Sequence, residues 1–330
     1  MQKIINDPKC FVEDMLCGYE KCHIQTIKRT DNPKVFVRRD LDKAAGRVGV
    51  VSGGGAGHMP AFIGYVRPGM LDAVAVGKIF VAPDANAFLD AFKAADMGKG
   101  VVCLYGNYKL DNENVSKAMK LAEAEGIEVH RVVSKDDVDI DLSQRAGRGL
   151  AGEVFLWKIG GAAASLRYSL DEIRKICQYA ADNMYSLGIG LSACVIPEVG
   201  VPNFDVVDGT MEVGIGHHGE PGTETYKLRS ANEIADLILE RIFKEYHYCA
   251  GDEVAVMISG LGGTTEMEMY ILYNRLYDIF MEHGLKVYSS YVGNYFTSLD
   301  MGGVNVTVMK LNEELKRLLE YKEPYRDDLL

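Results

Sequence analysis

Residues 100–133 read GVVCLYGNYKLDNENVSKAMKLAEAEGIEVHRVV, which predicts a strand, a helix and a second strand in succession. The segments 100–105 and 127–133 are apolar and rich in β-branched residues, as buried strands are. The segment 114–126 has apolar residues at the spacing i, i+3, i+4 and i+7, namely Val115, Ala118, Met119 and Ala122. It ends at Gly126, so it is typical of an amphipathic helix with a C-terminal glycine. This order indicates an α/β fold with a largely parallel sheet.

The same alternation extends over most of the chain and divides it in two. Further strands are predicted at 47–51, 253–260 and 303–311, and further helices at 85–96, 169–188, 231–246 and 265–283. Three segments between the predicted helices 169–188 and 231–246 resemble strands without intervening helices, namely 190–197, 210–218 and 223–228. This pattern favours a mixed or antiparallel sheet. We therefore predict two α/β domains, residues 1–185 with a largely parallel sheet and residues 186–330 with a mixed sheet.

Composition narrows the class of function. The 330 residues are 48% hydrophobic and 25% charged, and the net charge is −11. This charge disfavours nucleic acid or an anionic membrane as the main partner, because either would be repelled. No apolar run has the length of a membrane span or the form of a signal peptide, so a cytoplasmic location is expected. The seven cysteines form no C-x-x-C pair, so no metal site is predicted.

The segment VVSGGGAGHMP, residues 50–60, follows a predicted strand and has the glycines of a phosphate-binding loop. It lacks the Gly-Lys-Ser/Thr of a Walker A loop, and His58 stands where a dinucleotide fingerprint has its third glycine. We therefore predict a tight glycine turn that presents His58 at the carboxyl end of a strand, where open α/β sheets bind ligands. His58 is then either a ligand-site histidine or a turn histidine that caps its neighbours.

Three other loops have simpler interpretations. In SGLGGTTEME, residues 259–268, Thr265 and Glu268 stand at the spacing of a capping box, which predicts a well-capped helix. The aromatic residues of YVGNYFTSLDMGG, residues 291–303, indicate packing. The acidic segment 134–143 lacks the glycine and the terminal glutamate of an EF-hand loop, so we expect a solvated loop rather than a cation site.

The adjacent histidines of MEVGIGHH, residues 211–218, are separated by strand alternation. A strand that continues to residue 218 places His217 in an apolar row and His218 on a face lined by Gly214 and Gly216. A small molecule can approach the backbone on such a face, so His218 is the better candidate for a reactive group. The residues alone thus predict a small-ligand site with His58 and His218, and they leave its chemistry open.

Several motifs together resemble those of the dihydroxyacetone kinase family. The segment SGGGAGHMPAFIGYVRPGMLDAVAVG (52–77) is similar to the family's glycine-rich segment, whose usual form is Ser-Gly-Gly-Gly-Ser-Gly-His-Glu-Pro-Ala-His. The segments GNYKLD (106–111), RGLAGEVFLWKIGGAAA (148–164) and GIGHHGEPG (214–222) also align, and the two glycine-bearing loops 259–270 and 292–303 match in place and order. The likeness covers nearly the whole chain.

This resemblance implies a mechanism and a set of site residues. A histidine at the position of His218 adds through a ring nitrogen to the ketone of a short hydroxyketone and forms a hemiaminal, which excludes glycerol. Asp111 and His58 take the proton of the terminal hydroxyl group during phosphoryl transfer. The implied catalytic residues are His218, His58 and Asp111, and the implied substrate-binding residues are Gly55, Ala56, Gly57, His58, Asp111 and His218. From the sequence, Asp111 lies in a loop before the helix at 114, where it could instead act as a helix cap.

The resemblance also implies partners. The chain is similar to the separate ketone-binding K subunit, which receives a phosphoryl group from an L subunit that carries the nucleotide. The expected substrate is a short-chain ketose, dihydroxyacetone or a tetrulose, and the donor is ATP or a phosphoenolpyruvate-dependent relay. No nucleotide, magnesium or other metal is expected on this chain. The family further implies a homodimer.

Four departures from the family pattern fall at or beside the site. Met59 replaces a glutamate, Phe62 a histidine, Gly106 a substrate-contacting lysine, and Lys109-Leu110 a Thr-Gly pair. Loss of the lysine is expected to leave space that admits a longer ketose, or to mark a paralogue without kinase activity. The alternative function is a ketone-sensing co-activator of a transcription factor. Retention of Asp111 together with the two histidines favours the kinase subunit.

Overall fold

The structure is a computed structural model, and it describes residues 2–139 and 147–322. The described strands are β1 (Ile27–Arg29), β2 (Val35–Arg38), β3 (Gly49–Ala56), β4 (Ala73–Ile79), β5 (Val101–Gly106), β6 (Val129–Ser134), β7 (Met184–Ser192), β8 (Thr210–Val213), β9 (Glu224–Lys227), β10 (Glu253–Gly260), β11 (Lys286–Gly293) and β12 (Gly302–Lys310). The described α-helices are α1 (Phe11–Cys22), α2 (Ala85–Ala95), α3 (Lys109–Ala124), α4 (Glu153–Ser165), α5 (Leu170–Asp182), α6 (Ala231–Glu245), α7 (Glu266–Glu282) and α8 (Glu313–Glu320).

The first sheet has the strand order β1-β2-β4-β3-β5-β6. Strands β4, β3, β5 and β6 run parallel to one another, and only the β1–β2 and β2–β4 pairs are antiparallel. Apolar residues of α2 and α3 cover one face, and those of α4 and α5 cover the other. Burial on both faces explains the continuous apolar runs of its central strands. The predicted largely parallel sheet is confirmed.

The second sheet has the order β11-β10-β12-β7-β8-β9, with β10–β11 parallel and the remaining pairs antiparallel. It is the predicted mixed sheet. In β10, Val254, Val256 and Ile258 join the core beneath α6 and α7. The alternate residues Ala255 and Met257 join the core that contains α4. Because successive side chains of a strand point to opposite faces, this sheet is buried on both sides and packs against the first unit.

The predicted domain boundary at 185/186 falls inside β7, the first strand of the second sheet along the chain. Helix α8 follows the second sheet in sequence, yet its Leu315 and Leu318 pack in the core that contains α4. The division into domains stays a prediction. No helix in the described ranges combines the length and apolarity needed to cross a lipid bilayer.

Two predicted helices have different ends in the structure. Helix α3 begins at Lys109 rather than at residue 114. The prediction missed its first turn because, apart from Leu110, that turn is polar and lacks the apolar spacing that predicted the helix. Helix α5 ends at Asp182 rather than at residue 188. The chain then enters β7, where pairing with β12 decides the conformation. The capping box of α7 is present, with Thr265 and Glu268 bonded reciprocally, as predicted.

Candidate active site

A small cavity lies between the carboxyl ends of β3 and β5, the first turns of α3 and α4, and the loop after β8. Its volume is about 30 Å³. By the same measure, one water molecule needs about 10–15 Å³. Four of the predicted substrate-binding residues line it, namely Gly55, His58, Asp111 and His218. Other lining residues were not placed there by the sequence analysis, among them Gly53, Gly54, Phe80, Ala82, Tyr108, Glu153 and Phe296. The cavity suits a ligand of few atoms.

The glycines that precede His58 lie in a strand and not in a turn. Strand β3 continues through Ala56, so the predicted glycine turn is wrong up to Gly57, where φ is +104°. A Cβ atom at Gly54 would lie 2.3 Å from the ring of Phe62. The glycines thus let neighbouring groups approach the strand closely beside the cavity.

Ala56 and Gly57, both predicted to bind substrate, do not line the cavity. The carbonyl oxygen of Ala56 accepts a hydrogen bond of 3.0 Å from the N–H of Phe80, and that of Gly57 accepts one of 2.7 Å from Leu299. These two residues therefore hold His58 in place through their backbone.

His58 is 1% exposed. Its Nδ1 donates a hydrogen bond to the carbonyl oxygen of Thr297, at 2.7 Å, because a carbonyl can only accept; the lone pair is therefore on Nε2. The rings of Phe80 and Phe296 lie 5.0 and 4.9 Å from it. Burial holds the pKa of His58 well below its usual range, and the neighbouring His218 lowers it further. His58 is thus a neutral imidazole that lines the cavity.

The loop that carries the adjacent histidines begins earlier than predicted. Strand β8 ends at Val213, and Gly214 has a φ of +84° with Asp139 packed where a Cβ atom would stand. The strand-alternation argument for His217 and His218 is therefore wrong, although both side chains line the cavity.

His217 is the more buried of the two histidines, at 2% exposure. Its ring stacks on Phe296 at a centroid distance of 4.4 Å and an angle of 10°. Neither ring nitrogen has a hydrogen-bond partner among the described residues. Burial and the charge of His218 lower the pKa of His217 to about 3, so the ring is neutral.

His218 is held by Glu220, a residue that the sequence analysis missed. Glu220 Oε1 lies 2.7 Å from His218 Nδ1, and Oε2 accepts the backbone N–H of His218 at 2.9 Å. Burial opposes ionisation of Glu220, but the hydrogen bond and charge of His218 lower its pKa to about 2. Because an ionised carboxylate only accepts, Nδ1 carries a proton, and in the neutral form of the ring the lone pair is on Nε2. In the sequence, the short spacing of His218-Gly219-Glu220 could have indicated this contact.

Side chains that are distant in the sequence hold the backbone of the loop that carries His217 and His218. Arg148 donates from Nη2 to the carbonyl oxygen of Gly214 and from Nε to Asp137, each at 2.7 Å. Asn203 donates to the carbonyl oxygen of His218 at 2.8 Å. The backbone on either side of His217 is thereby anchored to the rest of the fold.

In the described part of the acidic segment, residues 134–139, carboxylates also contact the parts of the chain around this loop. Asp136, Asp137 and Asp139 are all at most 5% exposed, so the prediction of a solvated loop is wrong for them; residues 140–143 lie outside the described residues. Asp139 accepts hydrogen bonds from the backbone and hydroxyl of Thr223, at 3.0 and 2.6 Å. In the described parts of the chain, no three His, Cys, Asp or Glu side chains are grouped to bind a metal ion.

Asp111 lies in the first turn of α3 and not in a loop. The N-cap is Tyr108, without a side-chain capping bond, so Asp111 is not the N-cap residue of this helix. Burial raises the pKa of Asp111 to about 6, against the opposing charge of His218. A carboxylate with such a pKa is suited to accept a proton near neutral pH.

The space beside Gly106 is occupied. A Cβ atom at this position would lie 2.1 Å from Oε1 of Glu153 and 3.3 Å from the Cα atom of Gly149. Gly106 was expected to leave room for a longer ketose; the Glu153 carboxyl group occupies the space next to its Cα atom, and the choice of ketose stays a prediction.

The fold and the site together define a class of protein. It is an α/β protein with two sheets and a small cavity, in which a carboxylate orients a histidine. The chain belongs to the Dak1 domain family, whose model matches residues 17–325. The family resemblance drawn from the sequence motifs is thus confirmed.

Among its relatives, the chain is 40% identical over 316 residues to the "PTS-dependent dihydroxyacetone kinase 1, dihydroxyacetone-binding subunit DhaK" of Listeria innocua serovar 6a, covering 95% of both chains. It is 33% identical to the L-erythrulose kinase of Pectobacterium atrosepticum, covering 96% of this chain and 54% of the relative. Among solved structures, the "Dihydroxyacetone kinase operon co-activator Dha-DhaQ" superposes with a TM-score of 0.89 at 30% identity, covering 94% of this chain and 95% of that one.

Proposed function

We propose that this chain is the ketone-binding subunit of a dihydroxyacetone-type kinase. It captures a short-chain ketose on His218 and presents the terminal hydroxyl group for phosphorylation. The observation that carries the proposal is the 2.7 Å contact between His218 Nδ1 and Glu220, in a cavity shared with His58 and Asp111. The relatives named as a dihydroxyacetone-binding subunit and an L-erythrulose kinase support it.

The covalent step uses the free ring nitrogen of His218. The lone pair on Nε2 attacks the ketone carbon, and the π electrons of the carbonyl group move to its oxygen. Overall, one proton leaves Nδ1 and one is taken up by this oxygen, so the hemiaminal carries no net charge. The carboxylate of Glu220 stabilises positive charge on the ring while the C–N bond forms.

Phosphoryl transfer then uses the carboxylate of Asp111. The terminal hydroxyl oxygen of the bound ketose attacks phosphorus, the bond from phosphorus to the leaving nucleotide breaks, and the hydroxyl proton moves to Asp111. The raised pKa of Asp111, about 6, suits this role near neutral pH. Asp111 and Nε2 of His58, which burial holds neutral, are the two acceptors available to this one hydroxyl proton, and the proton goes to Asp111.

The phosphoryl donor comes from a separate L-type subunit that carries the nucleotide and magnesium. The relative from Listeria innocua, of nearly the same length, is described as one subunit of a PTS-dependent kinase. The cavity of about 30 Å³ is too small for a nucleotide. Neither nucleotide nor metal binds to this chain alone in this proposal.

The ketose is short, dihydroxyacetone or a tetrulose. Glu153 closes the cavity beside Gly106, so the size of the site limits the ligand. Erythrulose, a tetrulose, is named in the relative from Pectobacterium atrosepticum.

A homodimer completes the proposal. Helix α7 exposes an apolar row on the side away from its core, in which Met267 is 78% exposed and Ile271 is 57% exposed. The neighbouring β11 is an edge strand of the described sheet. A second copy would cover this apolar surface, and Ile271→Glu should shift the protein toward the monomer in analytical ultracentrifugation.

The second candidate function is a ketone-sensing co-activator of a transcription factor. It is favoured by the similarity to the Dha-DhaQ co-activator and by Gly106 at the position of the family's lysine. A sensor needs His218 to capture the ketose, but it does not need Asp111 as a base.

Native intact-protein mass spectrometry with dihydroxyacetone and erythrulose tests ketose capture. A hemiaminal adds the full mass of the ketose, whereas an imine to lysine adds that mass minus water. We expect the full-mass adduct, and its absence at saturating ketose would refute both candidate functions. Turnover with an added L subunit and phosphoryl donor then separates the kinase from the sensor.

A further inference from the structure

Glu153 is a buried carboxyl group that the mechanism above does not use. It lies at the first position of α4 and is 2% exposed, yet its side chain lines the same cavity as His218 and Asp111. Fully buried glutamates are rare unless their side chains are paired. Within residues 2–139 and 147–322, no basic side chain forms an ion pair with Glu153.

The two oxygens of this carboxyl group differ. Oε1 faces the backbone of Gly106, whose hydrogen-bonding influence opposes the rise in the pKa of Glu153. Oε2 has no hydrogen-bond partner among the described residues, although it is shielded from solvent. A buried polar atom without a partner costs about 1–3 kcal/mol, so a ligand that supplies the missing hydrogen bond would recover that cost.

The protonation state makes this oxygen a donor. Burial raises the pKa of Glu153 well above its usual range, and the negative charges of Asp136 and Asp111 raise it further, against the hydrogen bond from Gly106. The group is thus a neutral carboxylic acid near neutral pH, with one O–H to donate.

Gly106 and Glu153 form a matched pair. Any side chain at position 106 would begin 2.1 Å from Oε1 of Glu153, so a lysine at 106 and this conformation of Glu153 exclude each other. The Glu153 carboxyl group thus occupies the space that a longer side chain at position 106 would enter.

We propose that Glu153 is a ketose-contacting residue that determines substrate specificity, and that its protonated carboxyl group donates a hydrogen bond from Oε2 to an oxygen of the bound ketose. The inference rests on the proposed ketose capture by His218. A neutral donor of this kind adds no charge to the cavity, whereas a lysine at position 106 would add a positive charge.

Two near-isosteric variants of Glu153 test the role of the donor. Glu153→Gln keeps a donor, because its amide N–H replaces the O–H, whereas Glu153→Met keeps the approximate size and removes every polar atom. Adduct occupancy against dihydroxyacetone concentration is measured by native mass spectrometry, and the melting temperature is measured in parallel. For Glu153→Met we expect the half-saturating ketose concentration to rise about tenfold, with no loss of melting temperature. For Glu153→Gln we expect a change within about threefold.

The outcomes separate this inference from the proposed function. If the unmutated protein forms no adduct, the proposed function fails and this inference fails with it. If the unmutated protein forms the adduct and Glu153→Met does so at the same ketose concentration, only the inference is overturned. If Glu153→Met does not fold, Glu153→Gln and Glu153→Ala are compared in its place. Equal half-saturation in the folded variants then overturns the inference, and rescue by glutamine alone supports it.

Discussion

The side chain of Glu220 contacts His218 twice, at the backbone N–H and at Nδ1, with distances of 2.9 and 2.7 Å. One carboxylate thus fixes the position of the residue and the tautomer of its ring. Because Nδ1 donates to Glu220, the nucleophilic lone pair can only be on Nε2. The same device orients histidines in catalytic triads, where a carboxylate holds the imidazole in the productive tautomer.

Glu220→Gln should slow ketose capture without abolishing it. Glutamine can still accept a hydrogen bond from Nδ1–H through its amide oxygen, but it carries no negative charge to stabilise the ring as the C–N bond forms. We expect a decrease of about 10-fold to 100-fold in the rate of adduct formation, measured by mass spectrometry at timed intervals. Glu198→Gln, at an exposed glutamate, is the control and should leave the rate unchanged. An unchanged rate in Glu220→Gln would show that the charge of Glu220 is not used.

His217→Phe should retain ketose capture, whereas His218→Ala should lose it. His217 stacks on Phe296, and its ring nitrogens have no partners in the described chain. Phenylalanine keeps the stacking and removes two unsatisfied polar atoms, so we expect an equal or higher melting temperature. Loss of the adduct in His217→Phe, with capture retained in His218→Ala, would reverse the assignment of the two histidines.

The isolated chain should bind no nucleotide. The sequence lacks the Gly-Lys-Ser/Thr of a phosphate loop, and the cavity has a volume of only about 30 Å³. Calorimetric titration with ATP or ADP, each with magnesium, should give no heat beyond dilution. A dissociation constant in the micromolar range would contradict the assignment of the nucleotide to a partner subunit.

The sequence predicted the parts of the fold that local pattern controls. The strand–helix–strand unit of residues 100–133 and the capping box at Thr265 depend on neighbours in the chain, and both are present. The element ends were less accurate. At residues 184–188, pairing with β12 replaced the predicted helix by a strand.

The sequence predicted less of the site, because most of its contacts join distant segments. Family motifs named Gly55, His58, Asp111 and His218, which the structure places on one cavity. The bond from His58 to Thr297 joins the two sheets and has no local signal. Likewise, the sequence shows the glycine at 106 but cannot show that a distant carboxyl group occupies the space beside it.

Asp111→Asn should stabilise the protein above about pH 6. Burial raises the pKa of Asp111 to about 6, whereas an unfolded aspartate has a pKa of about 3.9. Between these values the unfolded state loses the proton and the folded state keeps it, so the contribution of Asp111 to stability falls as the pH rises from about 4 to 6. Asparagine removes this penalty, on the order of 2 kcal/mol. Urea unfolding at pH 4 and at pH 7.5 should show a gain at pH 7.5 only, and Glu113→Gln, at an exposed residue of α3, should show none.

The same substitution should abolish most of the phosphoryl transfer, and this result separates the kinase from the sensor. Asparagine is close to aspartate in size but cannot accept the hydroxyl proton. With an L subunit and donor supplied, the general-base role predicts a decrease in turnover of about 10²-fold to 10⁴-fold, while the ketose adduct still forms on His218. Increased stability together with lost turnover would be typical of a catalytic carboxylate. Its ionised form lowers the free energy of unfolding but is needed to accept the proton. Turnover unchanged in Asp111→Asn would remove Asp111 from the mechanism. Adduct formation without turnover in the unmutated protein would favour the co-activator, because a sensor needs His218 and Glu220 but no proton acceptor at position 111.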